Sequence, residues 1–382
     1  MKHLQTGLLV VASLLFAVAI LANPTIQKYL PGPANAELTQ DDLIRQTMVN
    51  TVFVSSETKD PEQFQMAQSL GLAGHGTGFT YKVDGDDIYI VTNEHVISKA
   101  LSRPDIMEIT VYMINRPWKY VAEVVGVDKI TDIAVLKIKK QDEEEFKAFE
   151  WNLDKRLKEG TRVMAIGHGL SMPYAVTFGT IAGRDRFTVR RLNFMLQHTA
   201  IINVGNSGGP VVDMEGRIVG VNSMIMSPSS VGGGAAAWDG VALAISAWQA
   251  DHSIKQIIAY GKPRYTKFDF SITDEPLEVI QAQDACNDGD KKKRSYAYMA
   301  LKDDPDTPVV EGKHARMHGF KDGDIIKEFD GEIVWSLAGV AKAIVDNLPG
   351  DIVLVKVMRD CEIIELDLQL QEWKDAFVPS GR

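Results

Sequence analysis

Between residues 38 and 246, short apolar runs alternate with glycine-containing polar turns. The runs are rich in Val, Ile, Tyr and Phe, the composition of β-strands. Many short strands at close spacing predict an all-β barrel or sandwich. The predicted strands cover residues 51–55, 78–83, 88–92, 109–113, 120–127, 134–138, 162–166, 176–182 and 218–223.

A helical pattern follows these strands. Apolar residues recur at helical spacing from Trp248 to Tyr260, and Gly261-Lys262-Pro263 ends the helix. Beyond it, strands alternate with one helix over Ser336 to Asp346, as far as about Trp373. The pattern therefore predicts a first domain over residues 38–262 and a smaller α+β domain over residues 263–373.

The N-terminus carries a targeting signal. Gly7 to Ala22 is an unbroken apolar run behind a basic flank, which predicts a membrane-seeking segment within residues 1–22. Its length fits either a cleaved signal or an anchor, but Ile20 and Leu21 stand where cleavage needs small residues, which favours the anchor. Residues 23–37, with three prolines, predict a stiff linker. We expect a periplasmic protein held in the inner membrane by residues 7–22.

Composition narrows the class of protein. Of 382 residues, 45% are apolar and 24% charged, as in globular proteins. The net charge of −10 argues against nucleic acid as a partner, because phosphate binding needs excess Lys and Arg. The chain offers no ligand set for a metal, and we expect no cofactor. The two cysteines, Cys286 and Cys361, could pair in an oxidising compartment, and the sequence leaves this open.

A candidate nucleophile lies in the segment Gly205-Asn206-Ser207-Gly208-Gly209-Pro210. A nucleophilic serine needs a tight turn and nearby N–H groups that face the developing oxyanion, and flanking glycines permit both. A glycine-rich hairpin is the alternative, but a strand, Val211-Val212, follows at once. The segment therefore predicts a catalytic serine.

A serine hydroxyl needs a base and a group that orients the base. His95 lies where the strand Val91-Thr92 gives way to a turn, and Asp132 opens the apolar run Ile133 to Leu136. Taken singly, each residue fits a structural role better than a catalytic one. Together with Ser207 they form a possible triad.

These strings together resemble the HtrA (Deg) family of chymotrypsin-like serine proteases. The similarity lies in Thr92-Asn93-Glu94-His95-Val96, Thr131 to Leu136 and Gly205 to Pro210, in the family's order, and extends over about residues 45–262. It implies an all-β double-barrel protease domain with six strands per barrel. His95 and Asp132 would lie on the first barrel and Ser207 on the second.

The resemblance also implies the roles of further residues. The N–H groups of Gly205 and Ser207 would form the oxyanion hole, with Asn206 holding the turn. Ile201 and Ile202 would wall the substrate pocket, with Asn222 and Ser223 nearby, and apolar walls favour Val, Ala or Leu. His75 and His198 depart from the family pattern, and we expect turn or packing roles for them.

The smaller domain resembles a bacterial PDZ domain. The match rests on residues 319–326, 330–331, 349–351 and 357–360. Such domains bind protein C-termini by adding a strand to a sheet edge. Asp269 stands where relatives carry glycine, and its charge would repel a carboxylate. This residue argues against peptide binding but not against the assignment of the domain.

The leading hypothesis is a membrane-anchored endopeptidase of the single-PDZ, DegS-like branch. It would cut unfolded or exposed protein segments in quality control or stress signalling, and by family analogy it would be a homotrimer. The rival hypothesis is a catalytically silent scaffold that binds C-terminal peptides.

Overall fold

The computed structural model describes residues 39–114, 116, 119–141, 145–155, 157–169, 174–188, 193–225, 242–267, 271–274, 286, 297–300, 313–321, 323–334 and 345–372. The predicted membrane segment and linker lie outside these residues. No helix within them is long and apolar enough to cross a membrane. The chain divides into two compact units, Met1–Leu43 and Ile44–Arg382.

The first sheet has the strand order β5-β4-β1-β2-β3-β7-β6. Only Ala122 separates β5 from β6, so one bent strand pairs with β4 at one end and with β7 at the other. Counted as one, these two strands close a barrel of six, as predicted. The bounds are β1 Thr51–Thr58, β2 Gly74–Asp84, β3 Asp87–Thr92, β4 Met107–Met113, β5 Tyr120–Val121, β6 Glu123–Asp128 and β7 Ile133–Lys139.

The second sheet is a closed barrel in the order β10-β13-β12-β11-β8-β9. The double-barrel fold expected from the sequence is therefore confirmed. Two of these strands, β10 and β13, were absent from the predicted set. The bounds are β8 Arg162–Gly167, β9 Ala175–Thr188, β10 Asn193–His198, β11 Pro210–Asp213, β12 Ile218–Ile225 and β13 Ala242–Ser246.

Helices lie at the ends of the barrel strands. The helix predicted from Trp248 is confirmed as α4, and Gly261 ends it with a φ of +74°, which glycine adopts without steric cost. A helix also replaces the turn expected at His95, since α3 begins at Glu94. The helical bounds are α1 Gln40–Asn50, α2 Phe64–Ser69, α3 Glu94–Leu101, α4 Ala247–Tyr260 and α5 Lys313–Met317, with a 3-10 turn at Pro61–Gln63.

The C-terminal residues form a separate sheet, β15-β16-β17-β19-β20, with β18 on β17. Alternate residues of β19, Val353, Val355 and Val357, point into its core. A two-stranded ribbon joins β14 to β21. The bounds are β14 Thr266–Lys267, β15 Ser271–Asp274, β16 Ala297–Ala300, β17 Ile325–Phe329, β18 Glu332–Ile333, β19 Ile352–Arg359, β20 Glu362–Gln369 and β21 Gln371–Glu372.

Cys286 and Cys361 form a disulfide, which settles the question that the sequence left open. The bond ties residue 286 to the turn between β19 and β20. Of the predicted helix over residues 336–346, only Val345 and Asp346 lie within the described residues, and both are helical. Asp269 lies outside them.

Candidate active site

The side chains of His95 and Asp132 are in direct contact. His95 Nδ1 lies 2.8 Å from Asp132 Oδ2 and 3.0 Å from Oδ1. Because a carboxylate only accepts hydrogen bonds, the imidazole donates from Nδ1, which leaves Nε2 with the lone pair that a general base needs. The backbone N–H of His95 also donates to Asp132 Oδ1, at 3.1 Å. The first barrel thus holds the imidazole in one orientation.

Asp132 sits in a turn with an unusual backbone conformation. Its φ is +63°, a region that residues other than glycine seldom occupy. The side-chain amide of Asn93 donates to the Asp132 carbonyl at 2.8 Å, and the N–H of Glu94 donates to it at 3.2 Å. The carboxylate itself is buried. These bonds fix the turn against the start of α3, where His95 is the second residue.

A second buried carboxylate, Asp128, shapes the segment that leads into Asp132. It accepts hydrogen bonds from the backbone N–H groups of Ile130 and Thr131, at 2.9 and 3.2 Å. The hydroxyl of Thr131 donates to it at 2.5 Å. Asp128 therefore caps the turn that ends at Thr131, one residue before Asp132.

Two further donors reach Asp128 from outside the first barrel. Ser253, on α4, donates from Oγ at 2.6 Å. The phenol of Tyr265, which follows α4, also donates to this carboxylate. Burial first, and then the charge of Asp128, raise the pKa of Tyr265 well above its ordinary value. The start of the C-terminal segment is thus hydrogen-bonded to the turn that positions Asp132.

Ser223 completes the surroundings of the Asp132 carboxylate. Its Oγ donates to Asp132 Oδ2 at 2.6 Å, and the residue is buried. The resemblance placed Ser223 near the substrate pocket, and the structure shows that its hydroxyl donates to the Asp132 carboxylate. Because β12 belongs to the second barrel, this bond joins the two barrels at the site.

Ser207 is held against both barrels. Its carbonyl accepts from the N–H of Thr77 on β2 at 2.8 Å, and the next residue, Gly208, donates to the Asn222 carbonyl at 2.8 Å. Gly208 has a φ of +83°, and a Cβ there would lie 2.2 Å from the Thr77 carbonyl oxygen. Only glycine fits this turn.

The hydroxyl of Ser207 donates to the Ser223 carbonyl at 3.3 Å. Among the described residues it makes no hydrogen bond to His95. The structure therefore brings His95 and Asp132 together directly, and it links Ser207 to them through Ser223.

The backbone N–H groups around Ser207 differ in whether they donate a hydrogen bond within the protein. That of Asn206 donates to the Asn203 carbonyl at 3.0 Å and so closes the turn. Those of Gly205 and Ser207 donate to no partner within the described part of the chain. Two N–H groups with open hydrogen-bonding capacity, one on each side of Asn206, are the donors that an oxyanion hole requires.

Thr77 and His168 set the position of Gly205. Thr77 Oγ1 donates to the Gly205 carbonyl at 2.7 Å and accepts from the N–H of His168 at 2.9 Å. Gly205 has a φ of +101°, and a Cβ there would lie 2.4 Å from the His168 carbonyl oxygen. Burial, with a smaller contribution from His75, lowers the pKa of His168 to about 4. A neutral His168 thus packs behind the oxyanion turn.

The predicted pocket residues lie in different environments. Ile201 is 61% exposed, whereas Ile202 packs in a small cluster with Ala165, Ala200 and Ala242. Ile201 is therefore free to contact a substrate, and Ile202 supports the wall from within.

Asn222 lies fully buried beneath the Ser207 turn. Its Oδ1 lies 3.0 Å from His198 Nε2, and His198 is also fully buried. Burial lowers the pKa of His198 to about 4, so the imidazole is neutral near pH 7 and donates from Nε2. His198 thus has the packing role expected of it.

Several residues that shape the site were not predicted from the sequence. Thr77 stands in a Gly-Thr-Gly strand segment, and Asp128 stands four residues before Asp132. The sequence offers a weak signal for each, since small polar residues beside glycine and acidic residues at turns are common everywhere. Tyr265 gave no signal, because its partner is 137 positions away.

Comparison with known proteins agrees with this geometry. Residues 76–221 match the model of the trypsin-like peptidase domain. A probable periplasmic serine endoprotease DegP-like from Chlamydia pneumoniae is 32% identical over 314 residues, which cover 82% of this chain and 58% of that protein. A protein of the same description from Halomonas elongata is 31% identical and is covered to 62%. The chain thus spans about three fifths of these relatives.

Solved structures share the fold. The HtrA-type protease AlgW with tripeptide superposes with a TM-score of 0.65 at 20% identity, over 86% of this chain and 96% of that one. The serine endoprotease from Yersinia pestis superposes with a TM-score of 0.56 at 23% identity, over 87% and 97%. Sequence relatives, the matched domain and the site geometry agree: the chain carries a trypsin-like peptidase domain and is similar to DegP-like serine endoproteases and HtrA-type proteases.

Proposed function

We propose that the chain is a serine endopeptidase that cuts unfolded or exposed protein segments through an acyl-enzyme. The observation that carries the proposal is the buried Asp132 carboxylate, which holds His95 on one side and Ser223 on the other, with Ser207 bonded to the Ser223 carbonyl. This arrangement leaves His95 Nε2 available as the general base that a serine nucleophile needs.

The reaction begins with rotation of the Ser207 hydroxyl from the Ser223 carbonyl toward His95. Catalytic hydrogen bonds often form only when substrate is present, so a hydroxyl that points away from His95 without substrate is compatible with catalysis. His95 Nε2 then takes the hydroxyl proton as the oxygen attacks the peptide carbonyl. The N–H groups of Gly205 and Ser207 receive the developing oxyanion, while Asn206 keeps the turn closed.

The intermediate then collapses. The C–N bond breaks, and His95 returns its proton to the leaving amine. Water, deprotonated by the same imidazole, attacks the acyl-enzyme and releases the carboxylate product and free Ser207. The Asp132 carboxylate compensates the charge of the imidazolium.

The pocket for the residue before the scissile bond lies on the second barrel. Exposed Ile201, backed by Ile202, offers an apolar wall, with Asn222 beneath the turn. We expect Val, Ala or Leu at this position, because a charged side chain would lose its hydration there without a partner.

Export to the periplasm, with residues 7–22 as an inner-membrane anchor, completes the proposal. The disulfide between Cys286 and Cys361 supports an oxidising compartment, since such bonds are rare in the reducing cytosol. The relatives from Chlamydia pneumoniae and Halomonas elongata are described as periplasmic.

For residues 263–373 we propose a PDZ-like domain that adds the C-terminus of another protein to a sheet edge. The sheet of β15 to β20 supports this idea, because its outer strands offer such edges. By analogy with the family, the assembly is a homotrimer.

A silent scaffold is the second candidate, because the Ser207 hydroxyl bonds to Ser223 and not to His95. Incubation of the full chain with β-casein, with and without short C-terminal peptides, separates the two. We expect fragments from wild-type protein and none from Ser207→Ala. Intact casein under every condition would favour the scaffold.

A further inference from the structure

A cleft of about 730 Å³ opens on the first barrel, between β1 and the segment that contains α2. Its lining is mainly apolar, with Phe53 from β1, Phe64 and Ala67 from α2, and Met107 from β4. Phe64 is 52% exposed. An open apolar cleft of this size is suited to receive side chains of another polypeptide.

One end of the cleft lies beside the oxyanion turn. His75, which lines this end, stands close to Gly205, since a Cβ on Gly205 would lie 3.5 Å from His75 Cδ2. The opposite end is polar, because Lys119 forms ion pairs with Glu57 at 3.1 Å and Glu108 at 2.6 Å. The cleft thus runs away from the reacting atoms over the first barrel.

The chemistry decides which part of a substrate lies there. The acyl half must rest on the second barrel, where Ile201 and the Ser207 turn lie. The leaving half must pass His95, which protonates its amine and belongs to the first barrel. The cleft lies on this same barrel, and its lining residue His75 lies beside Gly205.

We propose that the cleft binds the leaving half of the polypeptide substrate and selects for large apolar side chains a short way beyond the scissile bond. The inference rests on the proposed endopeptidase function. It assigns to Phe53, Phe64 and Met107 a role in specificity.

Acyl transfer to an added amine tests the proposal without the use of a peptide that spans the scissile bond. The full chain is acylated by a short peptide thioester ending in Val, whose thiol leaving group carries no amino acid. Water or an added dipeptide amide then takes the acyl group. In the second case the amine attacks the ester carbonyl, the bond to Ser207 Oγ breaks, and His95 carries the proton from the amine to that oxygen. Both products come from one acyl-enzyme, so their ratio does not depend on the acylation rate.

Wild-type protein should transfer the acyl group to Ala-Leu-amide or Ala-Phe-amide about tenfold better than to Ala-Asp-amide, as expected for burial of one apolar side chain. Ala73→Trp, which fills the cleft, should reduce this preference at least about fivefold. Ala259→Trp, at an exposed position of α4, is the matched control and should keep the preference.

Phe64→Ala removes a partly exposed side chain from the wall of the cleft, and it is the second test variant if Ala73→Trp does not fold. Equal transfer to all three amides by wild-type protein would overturn the proposal, as would a preference that both cleft variants keep. Absence of any thioester turnover would instead refute the endopeptidase function itself, so the two failures are distinguishable.

Discussion

Ser223 Oγ donates to Asp132 Oδ2 across the boundary between the two barrels, at 2.6 Å. The same oxygen lies 2.8 Å from His95 Nδ1. The second barrel thus carries Ser207, the proposed nucleophile, and also orients the Asp132 carboxylate of the first barrel. The site exists only when both barrels are correctly packed.

Loss of the Ser223 hydroxyl should slow catalysis. Ser223→Ala removes one donor from a buried carboxylate, and we expect kcat to fall about tenfold or more, as for a lost hydrogen bond to a charged group. Since the Ser223 hydroxyl donates to Asp132, its loss should change KM little. Steady-state kinetics on a peptide substrate measure both, with Ser102→Ala, an exposed serine, as control. A change confined to KM would assign Ser223 to the pocket.

Tyr265 should support the site from a distance. Tyr265→Phe removes one donor from Asp128, which caps the turn before Asp132, so the free energy of unfolding should fall by about 1 to 3 kcal/mol. We also expect kcat to fall, because the turn carries the triad carboxylate. Tyr260→Phe, an exposed tyrosine on α4, is the control. Unchanged stability and kcat in Tyr265→Phe would show that the hydrogen bond contributes nothing.

Buried His198 should make stability depend on pH. The unfolded imidazole binds a proton as the pH falls through about 6.5, whereas in the folded chain burial holds the pKa at about 4. This contribution to stability is therefore fully present above pH 6.5 and is lost between 6.5 and 4. At pH 5 the loss is about 2 kcal/mol.

His198→Gln removes the titrating group and should remove this part of the pH dependence. Urea unfolding at pH 7.5 and pH 5 provides the comparison. The stability of the wild-type protein should drop by about 2 kcal/mol more than that of the variant between the two values. Equal drops in both proteins would show that His198 titrates alike in the folded and unfolded chain.

An ion pair should hold the C-terminal sheet together. Arg359 donates to both carboxylate oxygens of Asp324 at 2.7 Å, and Asp324 is fully buried. Arg359→Met leaves that charge without its partner, and we expect a loss of about 3 kcal/mol in local stability. Arg359→Lys should lose less. Hydrogen exchange of the β17 and β19 amides reports the change, and unaltered protection in Arg359→Met would contradict it.

Much of the protease fold could be predicted from sequence, because strands that alternate or run apolar leave a local pattern. The strands β10 and β13 were missed because His198 and the small residues Ala242 and Ala244 weaken that pattern. Helix α3 was missed because it is short, and its second residue, His95, was expected to lie in a turn.

Ser207 could be predicted from its own glycine-rich segment, whereas His95 and Asp132 could be predicted only through the resemblance, since each fits a structural role when taken singly. The roles of Ser223 and Tyr265 could not be predicted. Their partners are 91 and 137 positions away, and only the fold brings them together.

The measurement closest to the central claim is labelling with a fluorophosphonate probe, followed by mass spectrometry of the modified peptide. We expect one adduct, on Ser207, that forms at least about a hundredfold more slowly in His95→Ala and Asp132→Ala, since each variant loses the base or its orientation. Labelling of wild-type protein that is absent, or that persists in Ser207→Ala at the same rate, would contradict it.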